Sequence, residues 1–389
     1  MANSTQTLRF TADGAFKISI FSDLHYGESQ YSIGPENDAR TSNVMASILN
    51  IENPQLVVLN GDLITGEAIN RSNSSSYVDR IVAPFIEHDV PWASTYGNHE
   101  SATSLCPQDV FQRETGNQDS LTQSMVPNST AGYTNYFLLV FPHNESLEVP
   151  EVILWFFDTR GGTSCPDSDG SGRRPDWVDQ SVIEWFNETH SEITNRYGRA
   201  VPSLAFFHIP TYAARAFQDT GLNCSTEPGI NDDVPVKQQG YLWDGEDYTG
   251  RDIPFMQALL ATEGLIATFS GHDHGNNWCF NWNERLPDMD LEGNGLIMCF
   301  GRRTGYGGYG DWARGGRQIL LHHNVSENPV ETWIRLEDGT VNGRVTLNSS
   351  FGRDLYVENA SHGTRSISPW KHFLSVYICI LLLVSLKQV

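Results

Sequence analysis

Short continuous runs of apolar residues, bounded by turn residues, recur along the chain. Runs of this kind are typical of strands that are buried on both faces, as in the parallel part of a layered sheet. We predict strands at residues 16–21, 56–59, 92–96, 203–207 and 265–269.

Longer segments with apolar residues at helical spacing lie between these runs. We predict helices at residues 38–50, 76–88, 175–197 and 252–263. The alternation of strands and helices predicts an α/β fold whose helices cover the sheets. Asp13 and Gly14 lie between two short apolar stretches, so we predict a hairpin at that point.

The same pattern divides the 389 residues into four segments. Residues 1–15 hold the hairpin that enters the fold, 16–350 form one large domain, 351–372 form a polar linker, and 373–389 form a hydrophobic tail. Layered α/β domains often exceed about 200 residues, so the length suits a single domain. Polar segments with Gly or Pro predict loops beside the site, at residues 101–133, 163–174 and 211–250.

Seven Asp, Asn and His side chains in five short motifs follow the predicted strands. The carboxyl ends of parallel strands meet at one edge of a sheet, so these side chains should converge. Carboxylate oxygens and imidazole nitrogens suit borderline divalent metals, and a carboxylate can bridge two ions. The seven candidate ligands are Asp23, His25, Asp62, Asn98, His208, His272 and His274.

The motif order D-x-H, G-D, G-N-H, H and G-H-x-H resembles that of the calcineurin-like metallophosphoesterases, from Asp23 to His274. The resemblance implies two central mixed β-sheets sandwiched by helices, a four-layer α/β/β/α fold. Residues 21–27 and the glycine-rich residues 301–310 are similar to the branch that contains Dcr2 phosphatases and purple-acid-phosphatase-29-like proteins.

The resemblance also implies roles for single residues, in a centre of two divalent or trivalent ions of Mn, Fe or Zn. Asp62 would bridge the ions, a hydroxide between them would attack phosphorus, and His99 would protonate the leaving group. A structural histidine is the alternative reading of His99. The implied ligands are Asp23, His25 and His274 for the first ion, and Asn98, His208 and His272 for the second.

This pattern predicts a metal-dependent phosphatase acting on phosphomonoesters, with a phosphorylated small molecule or phosphoprotein as substrate. Hydrolysis of phosphodiesters or pyrophosphates on the same metal cage is one alternative, and a non-catalytic interaction scaffold is another. The formal net charge of −22 argues against a general nucleic-acid binder, because such proteins need cationic contacts to phosphates.

One position departs from the related families. Thr65 stands three residues after Asp62, where purple acid phosphatases carry a tyrosine and calcineurin-type phosphatases carry an aspartate that supports the catalytic histidine. We therefore expect no tyrosinate-coloured iron site. Glu67 and Glu100 are the candidates for supporting His99 instead.

Other residues offer weaker signals. Three arginines are candidate phosphate donors, namely Arg160, Arg302 and Arg303. Residues 305–316 are predicted to form an irregular loop, with a wall of the substrate pocket as the alternative. Cys279 and Cys299 are the preferred disulfide pair, against the alternative that all six cysteines are reduced.

Cysteine-dependent phosphatase chemistry does not fit this chain. Arg113 lies one residue beyond the C-x5-R spacing from Cys106, so Cys106 is predicted to be structural. No P-loop motif is present in the sequence either, which argues against an ATP-binding loop of that type.

Signals for cellular location conflict. Ten Asn-x-Ser/Thr sequons suggest a glycosylated, secreted protein, yet residues 1–10 hold no apolar stretch of a signal peptide. A truncated gene model would reconcile the two, and a cytoplasmic location is the alternative. The end of the chain resembles a glycolipid-anchor signal, which predicts membrane attachment through the tail; a tail anchor, a buried helix and an error in the gene model are the alternatives. The sequons are at Asn3, Asn70, Asn73, Asn128, Asn144, Asn187, Asn223, Asn324, Asn348 and Asn359.

Overall fold

The computed structural model describes residues 7–165, 172–234, 238–241 and 247–356. Its strands are β1 (Leu8–Arg9), β2 (Ala15–Phe21), β3 (Leu56–Asn60), β4 (Trp92–Thr95), β5 (Tyr136–Phe141), β6 (Val152–Phe157), β7 (Ser203–Phe207), β8 (Leu265–Ser270), β9 (Cys279–Trp282), β10 (Leu296–Phe300), β11 (Gly315–His322), β12 (Val330–Leu336) and β13 (Val341–Leu347). Its α-helices are α1 (Gly34–Glu52), α2 (Arg71–Glu87), α3 (Pro107–Glu114), α4 (Gln180–Tyr197), α5 (Tyr212–Thr220) and α6 (Ile253–Ala261).

The strands form two mixed sheets. One has seven strands in the order β1-β5-β6-β7-β8-β10-β9, and the other has six in the order β13-β12-β11-β2-β3-β4. Within them, β6-β7-β8-β10 run parallel in the first sheet and β2-β3-β4 run parallel in the second. This arrangement confirms the α/β fold class with two central mixed sheets.

Apolar side chains on the inner faces join the two sheets. Ile18 and Val58 of one sheet belong to the same buried cluster as Leu154 and Phe206 of the other. Two further clusters bury the outer faces, one with residues of α4 and α6 and one with residues of α1 and α2. Burial on both faces explains why the central strands are continuously apolar, and the helices complete four layers.

The predicted strands match β2, β3, β4, β7 and β8, and the predicted helices match α1, α2, α4 and α6 with shifted ends. Two helices were missed, because α3 and α5 lie inside segments predicted to be loops. Both are short, which leaves little periodicity to detect.

The prediction of an opening hairpin was wrong. The chain does turn at Asp13 and Gly14, where the Thr11 backbone N–H donates to the carbonyl of Ala15 at 2.8 Å. However, β1 pairs in parallel with β5 of the seven-stranded sheet, while β2 pairs with β3 and β11 of the other. The turn therefore carries the chain from one sheet to the other.

Two disulfides lie within the described residues. Cys279–Cys299 joins directly opposed residues of β9 and β10, which confirms the preferred pair. Cys106–Cys165 joins the N-terminal cap of α3 to the segment after β6, which agrees with a structural role for Cys106.

The end of the described chain packs against the domain. Phe351 is buried, and the backbone N–H of Tyr356 donates to the carbonyl of Ser225 at 2.8 Å. The rest of the predicted linker and the hydrophobic tail lie outside the described residues. In the ranges that are described, no helix has both the length and the apolar character that crossing a bilayer requires.

Candidate metal centre

All seven predicted ligands meet at one end of the two-sheet core. Asp23 and His25 follow β2, Asp62 follows β3, and Asn98 follows β4 from the six-stranded sheet. His208 follows β7 while His272 and His274 follow β8 from the other sheet. The side chains converge at strand carboxyl ends, with four contributed by the six-stranded sheet and three by the seven-stranded sheet.

The side chains form two adjoining clusters. Donor atoms of Asp23, His25 and His274 lie within 4.8 Å of one another, as do those of Asp62, His208 and His272. Asp62 Oδ2 is 2.9 Å from His208 Nε2 and 3.8 Å from His25 Nε2, so this carboxylate touches both clusters. That is the position from which a carboxylate can bridge two ions.

Two polar atoms of the site have neither a hydrogen bond nor an ion pair in the described part of the chain, whereas His208 Nε2, which also lacks a hydrogen bond, lies 2.9 Å from Asp62 Oδ2. Asn98 Oδ1 and His272 Nε2 are both buried and unpaired among the described residues. Buried polar atoms are paired in the large majority of cases, because an unmet one carries a desolvation cost. A cation would satisfy both, and the mixed oxygen and imidazole donor set suits Mn, Fe or Zn ions. The residues present therefore fit a metal centre.

Three histidines are oriented through Nδ1. His208 Nδ1 donates to the carbonyl of Asn60 at 2.9 Å, and His274 Nδ1 donates to the carbonyl of Tyr309 at 2.9 Å. His25 Nδ1 lies 3.3 Å from Thr65 Oγ1. These contacts favour the tautomer whose Nε2 lone pair points into the centre, as outer partners of histidine ligands usually do.

The backbone around the centre adopts an unfavourable conformation at four of the seven positions. The φ angles are 55° at Asp23, 51° at His25, 52° at Asp62 and 74° at His272. Left-handed conformations in non-glycine residues are uncommon and cluster at functional sites. They hold here because neighbouring strands over-determine them; for example, the N–H of His25 donates to the carbonyl of Asp62 at 3.0 Å.

The electrostatics of the centre are dominated by two buried carboxylates. Burial alone would raise the pKa of Asp23, but nearby His274 and His208 lower it below its ordinary value. Burial opposes a charge on His208, yet Asp62 and Asp23 raise its pKa to about 10. Burial and His208 lower the pKa of His272 to about 4. The carboxylates thus draw protons that bound cations would displace.

His99 lies at the rim of the same cleft. Its backbone N–H donates to Asp62 Oδ1 at 2.9 Å, and its Nδ1 donates to Glu67 Oε2 at 2.9 Å. Burial disfavours the charged ring, but the carboxylates of Asp62 and Glu67 outweigh this and raise the pKa of His99 to about 9. Nδ1 is occupied by Glu67, so Nε2 is the ring nitrogen that would meet a substrate.

Glu67 and Glu100 have different roles. Glu67 is the carboxylate that contacts His99, so it takes the supporting position. Glu100 is fully buried and accepts from the backbone N–H groups of Leu63 at 2.5 Å and Gly97 at 2.6 Å. Burial and Asp62 raise the pKa of Glu100 to about 7. Glu100 thus ties together the loops after β3 and β4.

The three arginines proposed as phosphate donors serve the backbone instead. Arg160 donates to the carbonyl of Trp177 at 2.7 Å and to Asp179 at 2.8 Å. Arg302 donates to the carbonyls of Gly275 and Ala313. Arg303 donates to the carbonyls of Gly305, Gly307, Tyr309 and Gly310. Buried guanidiniums of this kind hold loops in place.

The glycine-rich loop forms a wall of the centre, which is the alternative noted for residues 305–316. At Gly308, where φ is 73°, an added Cβ would lie 2.6 Å from His274 Cε1 and 2.7 Å from His25 Cδ2. The Tyr309 ring stacks on that of His274 with centroids 4.0 Å apart. Only a glycine at position 308 lets the loop approach the two histidines so closely.

A cleft of about 370 Å³ opens above the centre. Residues from both predicted ligand clusters line it together with His99 and Gly308. Arg173 and Arg174 also line it, and they were missed as functional candidates. The available signal was a pair of adjacent arginines in a loop predicted to flank the site.

Comparison with known proteins now identifies the family. A model of calcineurin-like phosphoesterases matches residues 16–276. The chain belongs to the calcineurin-like phosphoesterase family. It is accordingly a hydrolase that acts on phosphoric ester bonds, and the resemblance seen in the motifs is confirmed.

Among similar proteins of this family, the probable inactive purple acid phosphatase 29 of Arabidopsis thaliana is 26% identical over 376 residues, which cover 88% of each chain. Phosphatase DCR2 of Saccharomyces cerevisiae is 29% identical over 348 residues, which cover 85% of this chain and 55% of the yeast protein. These relatives confirm the predicted branch of the family.

Solved structures share the fold. A dimetal phosphatase from Danio rerio superposes with a TM-score of 0.51 at 12% identity and covers 86% of this chain and 98% of its own. A structure of PhoD has a TM-score of 0.50 at 13% identity, covering 89% of this chain and 73% of its own. At these identities the likeness concerns the fold alone.

The contact between Glu67 and His99 gives the first prediction. Replacing Glu67 with Gln should lower the pKa of His99 by about 1 unit, because a charge-assisted hydrogen bond worth ~1.5 kcal/mol favours the protonated ring. The change is measured by NMR titration of the His99 ring in metal-free protein. Glu36→Gln, on an exposed part of α1, is the matched control. An unaltered pKa in Glu67→Gln would show that the contact does not support the charge.

Proposed function

We propose that this chain is a phosphatase that hydrolyses phosphomonoesters at a dinuclear metal centre, with His99 as the general acid. The observation that carries the proposal is the pair of adjoining clusters, in which Asn98 Oδ1 and His272 Nε2 are buried without a partner. The proposed ligands are Asp23, His25 and His274 for one ion, Asn98, His208 and His272 for the other, and Asp62 between them.

Ions of Mn, Fe or Zn in this site would supply the positive charge that activates water and neutralises phosphoryl oxygens. The protein's own contribution is to hold the seven side chains in position before the metals bind. The hydrogen bonds from His208 and His274 to backbone carbonyls, and the strained turns at Asp23 and Asp62, support that role. Thr65 stands where a tyrosine ligand would be needed, and the hydroxyl of Tyr309 beside the centre donates to Asp233 instead, so we expect no tyrosinate colour.

His99 would deliver the proton that the leaving alkoxide requires. In the metal-free chain, the Asp62 carboxylate and the Glu67 hydrogen bond to Nδ1 raise the pKa of the ring. Bound cations would offset the effect of Asp62 on that pKa, while the Glu67 hydrogen bond would persist. The proton passes from Nε2 to the leaving oxygen, after which the neutral ring takes a proton back from solvent.

A non-catalytic scaffold is the second candidate, because a relative that matches most of the chain is named a probable inactive phosphatase. The residues of this chain speak for turnover instead. None of the seven ligand positions is substituted, and His99 keeps both its place in the cleft and its carboxylate partner. The name phosphatase for the yeast relative also favours an active enzyme.

We also propose that the chain carries N-linked glycans. None of the eight described sequon asparagines is buried. In five of them the side-chain oxygen accepts from the backbone N–H two residues on, which leaves the amide nitrogen that would carry the glycan outside that turn. These five are Asn70, Asn128, Asn144, Asn223 and Asn348.

Metal binding should stabilise the chelator-stripped protein. At a Mn²⁺ concentration of about 100 Kd, the free energy of unfolding should rise by about 2.7 kcal/mol, because only the folded state assembles the ligands. Asp62→Asn should lose most of this gain, and the exposed His143→Ala should keep it. Thermal melting curves with and without metal measure the effect. An equal gain in Asp62→Asn would exclude the bridging assignment.

The role of His99 predicts a dependence on the leaving group. His99→Ala should lower kcat for an alkyl phosphate by ~10²–10⁴-fold, since its alkoxide needs a proton, and lower kcat for 4-nitrophenyl phosphate much less. Steady-state kinetics of the Mn²⁺-loaded protein measure both. His88→Ala, remote from the cleft, is the control.

Three outcomes would contradict this account. Equal losses with both leaving groups would remove His99 from the acid role. Faster hydrolysis of bis(4-nitrophenyl) phosphate than of the monoester would move the chain to the phosphodiesterases. Absence of turnover with Mn²⁺, Fe²⁺ or Zn²⁺ would favour the scaffold.

Glycosylation is tested in protein produced through a eukaryotic secretory pathway. Treatment with a peptide N-glycosidase should lower the apparent mass on a denaturing gel, and Asn144→Gln should remove one step of that change. Asn195→Gln, an exposed asparagine outside any sequon, should leave the pattern intact. A mass unaffected by the glycosidase would refute the proposal.

A further inference from the structure

Two adjacent arginines lie at the mouth of the cleft, and the proposed mechanism assigns no role to them. Arg173 and Arg174 line the cleft together with His99; Arg173 is exposed and Arg174 is half-buried. They belong to a segment that we call the arginine arm, defined as residues 160–165 and 172–176.

The arginine arm is fastened to the loop that carries Asn98 and His99. Two hydrogen bonds join Ser101 and Thr163. The Ser101 hydroxyl donates to the Thr163 carbonyl at 2.8 Å, and the Thr163 backbone N–H donates to the Ser101 carbonyl at 3.0 Å. A Cβ added at Gly162 would lie 2.2 Å from the carbonyl oxygen of Asn98, so the two backbones are in close contact. The Cys106–Cys165 disulfide adds a covalent link.

Contacts within the arm fix the backbone of both arginines. Arg173 pairs with Thr163 in an antiparallel bridge, and the N–H of Arg174 donates to the carbonyl of Gly162 at 3.1 Å. The N–H of Gly161 donates to the carbonyl of Pro175 at 2.8 Å. The backbone that carries the two guanidiniums is therefore fixed, which reduces the conformational entropy lost when they bind an anion.

The position of Arg173 indicates which part of a substrate it would meet. Arg173, Asp176 and His99 line the same cleft, and the carboxylates of Asp176 and Glu67 oppose the lowering of the Arg173 pKa by burial. Glu67 is the hydrogen-bond partner of His99. Arg173 thus lies on the side of the cleft that holds the general acid, where the leaving group of a phosphomonoester would sit.

Carboxylates also line the mouth of the cleft. Glu28 and Asp176 line it together with the two arginines, and Arg160, which lies near Arg174, uses Asp179 as its partner at 2.8 Å. An anionic group would therefore be held by directed hydrogen bonds from the guanidiniums, and not by a general excess of positive charge.

We propose that Arg173 and Arg174 form a second anion subsite, which binds a carboxylate or phosphate group carried by the leaving alcohol of the substrate. The proposal rests on the proposed function and narrows it to phosphomonoesters with a second negative charge. Planar guanidiniums bind either group through paired N–H donors, so the shared chemistry is a pair of anionic oxygens.

Binding is tested first, because it does not depend on turnover. Benzylphosphonate, its 4-carboxy derivative and its 4-phosphonate derivative are titrated calorimetrically into the Mn²⁺-loaded protein. The 4-carboxamide derivative serves as the neutral control. The 4-carboxy and 4-phosphonate derivatives each carry a second anionic group. We expect both to bind about tenfold more tightly than the carboxamide, through one added charge-assisted contact. Equal affinities for all four ligands would overturn the subsite.

Variants then assign the effect to the arm. Arg173→Gln with Arg174→Gln should bring the affinity ratio of charged to neutral ligand close to one, and the double Lys variant should retain part of the ratio. Arg196→Gln, an exposed arginine at the end of α4, should leave the ratio unaltered. A ratio that persists in the double Gln variant would also overturn the proposal.

Hydrolysis of the matching aryl phosphates separates this proposal from the proposed function. Turnover of 4-carboxyphenyl phosphate should exceed that of the 4-carboxamide by about tenfold in kcat/KM, mainly through KM. Ligand selectivity without turnover of any monoester would refute the phosphatase and leave the subsite in place. Turnover of the monoesters without a preference for the charged ligands would refute the subsite and leave the phosphatase in place. A preference for phosphate over carboxylate, or the opposite, identifies the source of the second charge.

Discussion

Two carboxylates, Asp23 and Asp62, are buried side by side at the junction of the two sheets, and the rest of the site is built around their charge. An isolated ionised carboxylate in a protein interior is costly unless it is paired. Three histidines lie within 4 Å of these carboxylates, and the surrounding backbone holds the arrangement through left-handed turns. Two metal ions would neutralise the negative charge of Asp23 and Asp62 more completely than protonated imidazole rings do.

This constraint also explains how the sheets are joined at that end. The Asn60 side chain donates to the carbonyls of Phe207 and Phe269, which lie in the last two residues of β7 and β8 in the opposite sheet. The Asn60 carbonyl in turn accepts from His208. One asparagine therefore aligns the strands of both sheets beneath the centre, and Glu100 does the same for the loops above it.

Much of the fold and of the centre could be predicted from sequence because both follow local patterns. The apolar runs mark the buried strands, and every candidate ligand follows one of them by a few residues, so each sheet gathers its own ligands at one edge. What escaped prediction depends on distant partners. The pairing of β1 with β5 is one example, since no local pattern encodes it, and the choice of Glu67 rather than Glu100 as the partner of His99 is another.

Arginines show the same limit most clearly. Arg302 and Arg303 follow a buried strand and resemble site residues in sequence, yet both are buried and donate to backbone carbonyls. Arg173 and Arg174 occupy a polar loop and resemble surface charges, yet they line the cleft. The sequence shows how many arginines the chain has. Whether an arginine side chain faces the cleft or the interior depends on which carbonyls and carboxylates surround it in the folded chain.

The hydrogen bonds of Arg303 constrain how the glycine-rich loop beside the centre can move. Its single guanidinium serves the carbonyls of Gly305, Gly307, Tyr309 and Gly310, and the Tyr309 carbonyl also receives the His274 ring. The loop cannot release one of these groups to water without disturbing the others. Its amide hydrogens should therefore exchange with solvent as one cooperative unit, together with a loss of order in the His274 ring.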